Sequence, residues 1–284
     1  MVNHFERIKN IIYDESPKKA EEELKKAQKE LKNNQIIELL IHIGASYWMH
    51  DNESARRVLN EALELKPKKD DEAEVYLYIA RTLMAEDKNE EALILLNKAL
   101  RLTRDRYLQG AILKEMSGCY YSIPDREKSI YYAYQSQKYR DPNNKDENYD
   151  YYDNMERIIE NLLLMGEKGK ADLIITECLN DKRIPKVAVS NIHYKMGNNY
   201  YTKQDWDNAL INYEIALKYY DRLELSSKGA ILKYLGSCFM HLGDYNRARL
   251  AYMQSLEYLL DNDDAEDKAF VKAELDIIRQ NLGE

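Results

Sequence analysis

The feature that most constrains this chain is one apolar position that recurs at nearly even spacing along its whole length. Successive occurrences are 35, 37, 38, 41, 38 and 39 residues apart, and alanine fills most of them. The seven occurrences, called markers below, are Ala20, Ala55, Ala92, Ile130, Ala171, Ala209 and Ala248. A steady period of this length predicts a repeat architecture, in which each unit buries its apolar face against its neighbours.

The clearest unit lies at residues 190–221. Gly197 and Tyr200 lie in a first segment with apolar residues at helical spacing, and Ala209 and Tyr213 lie in a second. A short polar turn separates the two segments, so the pattern predicts two amphipathic helices that fold back on each other. Because the small residues fall where the helices touch, the backbones can approach closely while the tyrosine rings fill the grooves beside them.

This order of small and aromatic residues resembles that of tetratricopeptide repeat (TPR) proteins, and the resemblance covers nearly the whole chain. It implies an all-α fold, a TPR-type solenoid of helical hairpins that winds into a right-handed superhelix with a concave groove. We expect a single solenoid over residues 1–284, with about seven repeats and a C-terminal capping helix. In order, we expect a degenerate capping repeat at 1–35, repeats at 36–142, a loop at 143–150, repeats at 151–261 and the capping helix at 264–284.

The stretch at 140–150, RDPNNKDENYD, is the most loop-like part of the sequence. It is polar and rich in residues that break helices. Two interpretations stay open: a hinge between two halves of the solenoid, or a long loop between two repeats.

Charge and cysteine content bear on the compartment and on the kind of partner. The formal net charge is −8, which disfavours general contact with a nucleic-acid backbone. No apolar stretch approaches the ~20 residues that span a bilayer, and the N-terminus lacks the apolar run of a signal peptide. Cys119, Cys178 and Cys238 are dispersed, which predicts buried free thiols. We therefore expect a cytoplasmic protein without direct nucleic-acid or membrane contacts.

The sequence shows no pattern that predicts catalysis, a cofactor or a metal site. It has no glycine-rich phosphate loop. His42 and His50 are eight residues apart on one predicted helix, which is too far for one metal ion. Cys238 and His241 are close enough to meet on a helix, but nothing supplies an orienting carboxylate or oxyanion donors. We therefore expect a protein that is not an enzyme.

The TPR resemblance implies that ligands contact the inner face of each first helix. The matching positions carry mostly polar and aromatic side chains, and we expect contacts from Asn191, Tyr194, Asn198, Tyr201, Lys233, Ser237, Arg81 and Trp48. Asparagine can donate to and accept from a peptide backbone at once, and tyrosine offers a large contact area with a polar tip. The set therefore suits a peptide or a protein segment.

TPR proteins that bind chaperone tails use a clamp of lysine and asparagine for a C-terminal carboxylate. Asn198 and Lys233 match two clamp positions, whereas Tyr194 stands where the first clamp lysine belongs. This departure argues against recognition of a C-terminal carboxylate.

The leading interpretation is an adaptor or scaffold that binds a peptide or protein in the concave groove. The alternative is a bacterial regulatory sensor that binds a signalling peptide and controls a transcription factor or kinase. Repeat length and richness in tyrosine and asparagine resemble the peptide-pheromone receptors of the Rap, PlcR and NprR type. Those receptors carry N-terminal modules for which we expect no room, since the first predicted hairpin begins almost at Met1. A homodimer through a terminal helix is a further interpretation.

Overall fold

The computed structural model describes residues 4–14, 16–48, 50–220, 225–259 and 265–283. Within these ranges the chain is almost entirely helical and contains no β-strand. The helices are α1 (His4–Asp14), α2 (Pro17–Ala27), α3 (Asn33–Tyr47), α4 (Asn52–Glu64), α5 (Lys69–Met84), α6 (Asn89–Leu102), α7 (Arg106–Ser122), α8 (Arg126–Gln137), α9 (Lys145–Leu164), α10 (Lys168–Asn180), α11 (Lys186–Thr202), α12 (Trp206–Tyr219), α13 (Leu225–His241), α14 (Tyr245–Tyr258) and α15 (Ala265–Leu282).

Helices α1 to α14 pack in consecutive pairs, numbered here as hairpins 1 to 7, and α15 packs against α14 and α13. Each hairpin therefore has a first and a second helix, as the repeat pattern predicts. The expected all-α array of about seven TPR-type hairpins with a C-terminal helix is confirmed. The predicted first residue of that helix, Asp264, lies outside the described residues. The right-handed superhelix stays a prediction.

The chain divides into two compact units, Met1–Arg140 and Asp141–Glu284. Hairpins 1 to 4 form unit 1, and hairpins 5 to 7 with α15 form unit 2. The buried apolar residues of unit 1 form two clusters, and hairpins 6 and 7 of unit 2 share a further cluster with α15.

The loop predicted at 143–150 is shorter than expected, because α9 already begins at Lys145. The side-chain carbonyl of Asn144 accepts a hydrogen bond from the backbone N–H of Asp146 at 3.0 Å. This cap draws the following polar residues into the first turns of α9. A hinge role for the remaining loop stays a prediction.

Each hairpin is closed by a small buried residue in its second helix. The six marker alanines have no exposed surface, but the fourth marker was placed one residue too late. Ser129 is fully buried there, whereas Ile130 is partly exposed. The Ser129 hydroxyl donates to the carbonyl of Ser117 at 2.9 Å, and the Ser117 hydroxyl donates to the carbonyl of Ser129 at 2.8 Å. Because both hydroxyls are satisfied across the hairpin, two serines can replace the usual small residues.

Aspartates fix where many of the second helices begin. Asp51, Asp125, Asp205 and Asp244 each accept a hydrogen bond from the backbone N–H three residues on, at 3.0, 3.1, 3.3 and 3.1 Å. Each cap lies four residues before the buried small residue. A side-chain cap stabilises a helix by about 1 kcal/mol, and it also sets which face of the second helix is buried.

A residue in the left-handed backbone region comes directly before several second-helix N-caps. Gly166 and Gly243 adopt φ angles of 77° and 79°, while Asp87 and Gln204 adopt 58° and 59° without being glycine. The tight turn thus requires a backbone conformation that favours glycine. In hairpins 3 and 6 a residue other than glycine adopts that conformation.

We expect Gln204→Gly to stabilise the protein by about 0.5–1 kcal/mol, measured by chemical denaturation. A side chain in the left-handed region costs about 1–2 kcal/mol, and the greater freedom of glycine in the unfolded chain offsets part of the gain. Gly243→Ala, at the equivalent turn position, is the matched control and should destabilise. A Gln204→Gly variant that is no more stable than the parent would contradict the expectation.

All three cysteines are free and buried, as predicted. The pKa of the Cys119, Cys178 and Cys238 thiols is raised to about 12, mainly because the thiols are buried. A thiol that stays protonated is a poor nucleophile. These cysteines therefore act as small apolar residues of the hairpin cores.

Candidate functional site

Six of the predicted contact residues lie on two first helices of unit 2. Helix α11 carries Asn191, Tyr194, Asn198 and Tyr201, and α13 carries Lys233 and Ser237. Residues 194, 198 and 201 are spaced by four and three, so they share one side of α11. Helix α12 packs against both α11 and α13 and holds the two first helices side by side.

A tyrosine that the sequence analysis missed joins these residues. The ring of Tyr234, on α13, lies 6.1 Å from Tyr194, 5.3 Å from Tyr201 and 5.5 Å from Tyr213, between ring centroids. We call these four residues the tyrosine cluster. Its rings interact in tilted, edge-on and stacked geometries, which are the favourable arrangements of aromatic pairs. Tyr213 has no exposed surface, so the partly exposed rings of Tyr194, Tyr201 and Tyr234 form the accessible part of the cluster.

Asn198 fixes the buried ring of the cluster through its amide. The Tyr213 hydroxyl donates to Asn198 Oδ1 at 2.7 Å, and the Tyr194 ring lies 6.0 Å from that of Tyr213, between centroids. Burial, the main cause, raises the pKa of Tyr194 to about 12, so its hydroxyl remains protonated at neutral pH. Asn198 therefore positions the cluster before any ligand arrives.

The aromatic surface continues towards the end of α13. The ring of His241 stacks on Trp206, with centroids 3.9 Å apart and planes inclined by 6°. Tyr201 meets Trp206 edge-on at 5.1 Å. Since His241 is exposed, this end of the surface is open to solvent.

Lys233 and Ser237 have partners within the protein. The Lys233 ammonium lies 2.6 Å from the carboxylate of Asp267 in α15. Ser237 is buried, and its hydroxyl lies 3.0 Å from that of Tyr252 in α14. In this structure the two side chains tie α13 to its neighbours, and their contact with a ligand stays a prediction.

Asn191 lies beside a buried carboxyl group. Glu156, on α9, is 4% exposed, and Asn191 is one of the groups that act on its pKa. The pKa of Glu156 is raised to about 8, mainly because the side chain is buried. The nearby Asp153 carboxylate raises this pKa further, whereas Lys195 and Asn191 lower it. Lys195 pairs with Glu160 at 2.6 Å. Glu156 is therefore mostly protonated at neutral pH and acts as a neutral polar group.

The two predicted residues of unit 1 also lie together. The guanidinium of Arg81, on α5, lies 5.6 Å from the ring of Trp48 and 5.1 Å from the ring of Tyr78. It also forms an ion pair with Glu115 of α7 at 2.8 Å. A planar cation over aromatic faces is a favourable contact. Neighbouring hairpins of unit 1 are therefore joined by a polar and aromatic cluster on their first helices.

Tyr234 and Trp206 are aromatic residues that the contact positions implied by the TPR resemblance did not include. Tyr234 is next to Lys233, and Trp206 begins α12 only five residues after Tyr201. Those contact positions are single ones, whereas a ring of this size reaches neighbouring positions. Counting every aromatic residue within one helical turn of a predicted contact finds Tyr234, whereas Trp206 lies beyond the turn that ends α11.

The described residues contain neither a cluster of metal ligands nor a membrane-spanning helix. No group of three or more histidine, cysteine, aspartate or glutamate side chains among them could hold a metal ion. None of the helices in those ranges is both long and apolar enough to cross a membrane.

Comparison with known proteins agrees with this architecture. Residues 194–266 match a family model described as tetratricopeptide repeat. The apo form of RapI is similar over 95% of this chain and 79% of that chain, with a TM-score of 0.67 and 16% identity. A tetratricopeptide repeat protein from Parabacteroides merdae is similar over 97% of each chain, with a TM-score of 0.65 and 14% identity.

A third structure, NprR in complex with its cognate peptide NprX, is similar over 97% of this chain and 81% of that chain, with a TM-score of 0.59 and 12% identity. A search of curated proteins finds no match. The TPR resemblance is confirmed, and so is the likeness to Rap and NprR at the level of fold. The chain is an array of TPR-type helical hairpins.

Proposed function

We propose that the first-helix face of unit 2 binds a peptide or protein segment, and that the protein acts as an adaptor or scaffold rather than as an enzyme. The tyrosine cluster, with Asn198 fixed beneath it, is the observation that carries this proposal. Tyrosine rings supply contact area at a low cost in side-chain entropy, and their hydroxyls offer hydrogen bonds at the same place.

Preorganisation of this face supports the proposal. Binding loses free energy when side chains must become ordered at the interface, by about 0.5–1.5 kcal/mol for each one. Here the amide of Asn198 already holds Tyr213, and Tyr194 packs against the rings of Tyr213 and Tyr234. Tyr201 is held by Trp206 and Tyr234. A ligand therefore meets a surface whose main rings are in place.

The test starts from the full chain and a display library of random octapeptides, followed by affinity measurement on selected peptides. We expect Tyr194→Ala and Asn198→Ala each to weaken binding by about tenfold or more, equivalent to about 1.4 kcal/mol. Tyr194→Phe keeps the ring and should retain most of the affinity. Tyr219→Ala and Asn208→Ala, at exposed positions of α12, are the matched controls and should bind normally.

Thermal unfolding of each variant separates loss of contact from loss of fold. A variant that melts like the parent but no longer binds supports the proposal. Peptides whose affinity is unchanged in both alanine variants, or a library that yields no binder, would count against this face as the site.

A regulatory sensor is the second candidate, supported by the fold likeness to RapI and to NprR with its peptide. In that case the ligand is a short free peptide, and its binding shifts the protein between two conformations that a partner distinguishes. A scaffold would instead bind a segment that belongs to a larger protein. Binding measured with one selected sequence, first as a free peptide and then within a folded carrier protein, separates the two.

A further inference from the structure

The first-helix face of unit 1 holds one guanidinium between aromatic rings and a carboxylate. Arg81, on α5, lies 5.6 Å from the ring centroid of Trp48 and 5.1 Å from that of Tyr78. Its guanidinium also lies 2.8 Å from the carboxylate of Glu115 on α7. Two rings and one carboxylate, supplied by successive first helices, are therefore the surroundings in which this array of hairpins places a cation.

The equivalent place in unit 2 lacks the arginine. Counted from the first residue of each helix, Ser237 of α13 takes the position of Arg81 in α5, and Tyr234 takes that of Tyr78. Ser237 is buried, and its hydroxyl lies 3.0 Å from that of Tyr252. This short side chain therefore stays within the hairpin and, unlike Arg81, brings no charge to the surface.

The second ring is also retained in unit 2. Tyr201 lies four residues after the buried glycine of α11, as Trp48 lies four residues after that of α3. Tyr201 and Tyr234 are both partly exposed, and they meet edge-on with centroids 5.3 Å apart. Among the described residues, the contacts of Tyr201 with Trp206 and His241 are edge-on as well, so no ring stacks on it. The two tyrosines thus offer aromatic surface to a planar cation.

Helix α15 supplies the carboxylate. Counted from the first residue of its helix, Glu274 takes the position that Glu115 holds in α7. Asp267, Val271 and Glu274 are spaced by four and three residues, so they share one side of α15. Val271 has no exposed surface, and the Asp267 carboxylate lies 2.6 Å from the Lys233 ammonium of α13. This side of α15 therefore faces the last hairpin.

The Glu274 carboxylate acts on the aromatic residues and lacks a cation of its own. The pKa of Tyr201 is raised mainly because the side chain is partly buried, and Glu274 raises it further. Burial likewise raises the pKa of Tyr252, with a further contribution from Glu274. Within the part of the chain that the structure describes, Glu274 forms no hydrogen bond or ion pair. Its negative charge is therefore available to a ligand.

We propose that the ligand supplies the missing guanidinium, so that an arginine side chain of a bound peptide stacks on Tyr201 and Tyr234 and pairs with Glu274. We call these three residues the arginine site; it rests on the proposed function and names the chemistry of its ligand. A guanidinium presents a planar face to rings and a fork of N–H donors to a carboxylate at once. Lys233 does not repel this cation, because Asp267 compensates its charge.

Synthetic forms of the peptides selected from the octapeptide library test the arginine site. We expect an arginine in these peptides whose replacement by citrulline weakens binding by about tenfold, because citrulline keeps the planar shape but carries no charge. In Glu274→Gln the arginine and citrulline forms should bind within about twofold of each other. Glu266→Gln, at an exposed glutamate in the first turn of α15, is the matched control and should keep the tenfold difference.

Charge reversal tests the pairing itself. Glu274→Arg should bind the arginine peptide more weakly than the parent does, and it should prefer the form in which glutamate replaces that arginine. Thermal unfolding shows whether each variant keeps the fold. A folded Glu274→Gln variant that retains the parent's preference for arginine over citrulline overturns the arginine site.

The arginine site and the proposed function fail in different ways. Selected peptides that lose affinity in Tyr194→Ala and Asn198→Ala, yet tolerate citrulline in place of every arginine, overturn the arginine site and leave the proposed function intact. A library without any binder counts against both.

A probe smaller than a peptide tests the arginine site without the library. N-acetylarginine amide should shift the ring NMR signals of Tyr201 and Tyr234, whereas N-acetylcitrulline amide should not. The shift should disappear in Glu274→Gln and persist in Glu266→Gln. Equal responses to the two amides would overturn the arginine site.

Discussion

Replacing Glu156 with glutamine should stabilise the folded protein by about 3 kcal/mol at pH 7 and by up to about 5 kcal/mol near pH 9. The side chain is 4% exposed, and burial is the main cause that raises its pKa from 4.5 to about 8. One pKa unit corresponds to about 1.4 kcal/mol, so ionisation at this place in α9 opposes folding. Glutamine has nearly the same shape and cannot ionise.

The pH dependence comes from the proton that Glu156 binds. In the unfolded chain its pKa is near the ordinary 4.5, whereas in the folded chain the pKa is about 8. Between these values unfolding releases a proton, so the stability of the parent protein falls as pH rises and levels off above about 8. Below about pH 4.5 the parent and Glu156→Gln should be equally stable.

Chemical denaturation of both proteins from about pH 4 to about pH 9 measures the difference. Other groups titrate in both proteins, so the difference in unfolding free energy isolates Glu156. Glu177→Gln, an exposed glutamate on α10, is the matched control and should follow the parent at every pH. A difference that does not widen between about pH 5 and pH 8 would show that the folded protein does not raise this pKa.

The hairpins were predictable from the sequence because three local signals agree in most repeats. A small residue recurs at a steady period, an aspartate lies four residues before it in several hairpins, and apolar residues follow at helical spacing. Caps such as Asp205 and buried alanines such as Ala209 act within one hairpin, so no distant contact can override them.

Errors arose where a polar residue is buried through a partner on another helix. Ile130 seemed a better core residue than Ser129, yet the serine is buried because its hydroxyl reaches a carbonyl of α7. Ser237 likewise has a partner that the sequence does not show, since its hydroxyl lies 3.0 Å from the Tyr252 hydroxyl of α14, and its contact with a ligand stays a prediction. Hydrophobicity alone does not predict such hydrogen-bond partners, because they depend on how two helices are rotated against each other.

The aromatic face was only partly predictable for the same reason. Spacing placed Tyr194, Asn198 and Tyr201 on one side of α11, and the structure brings them together. Tyr234 joins them only because α13 presents that ring to α11. The contact depends on packing between hairpins, which a repeat pattern in one hairpin does not specify.

Gly197→Ala should destabilise the protein by about 2 kcal/mol, although alanine is the better helix former. A Cβ atom at Gly197 would lie 2.6 Å from Cε1 and 2.7 Å from Cδ1 of Tyr213, a distance at which something must move. Tyr213 has no exposed surface, and its hydroxyl is held by Asn198. The ring cannot retreat without breaking that bond, and overpacking of this kind costs about 1–3 kcal/mol.

Gly169→Ala provides the matched control, with the opposite sign. Gly169 lies in the first turn of a helix, α10, and apart from the helix's own nearby backbone no heavy atom lies within 4 Å of the place a Cβ would take. Alanine should therefore stabilise the protein there by about 0.5–1 kcal/mol, because glycine loses more backbone freedom on folding. Denaturation of the two variants under one condition measures both effects.

Hairpin 3 indicates how the clash at Gly197 can be relieved. It carries Ala80 and Leu96 at the positions that hold Gly197 and Tyr213 in hairpin 6, and both are fully buried. Gly197→Ala combined with Tyr213→Leu should therefore be more stable than the sum of the two single effects allows. A double-mutant cycle measures this coupling. Strictly additive effects would show that the ring of Tyr213 does not set the need for glycine at 197, whereas positive coupling ties that glycine to the ring that Asn198 holds in the aromatic face.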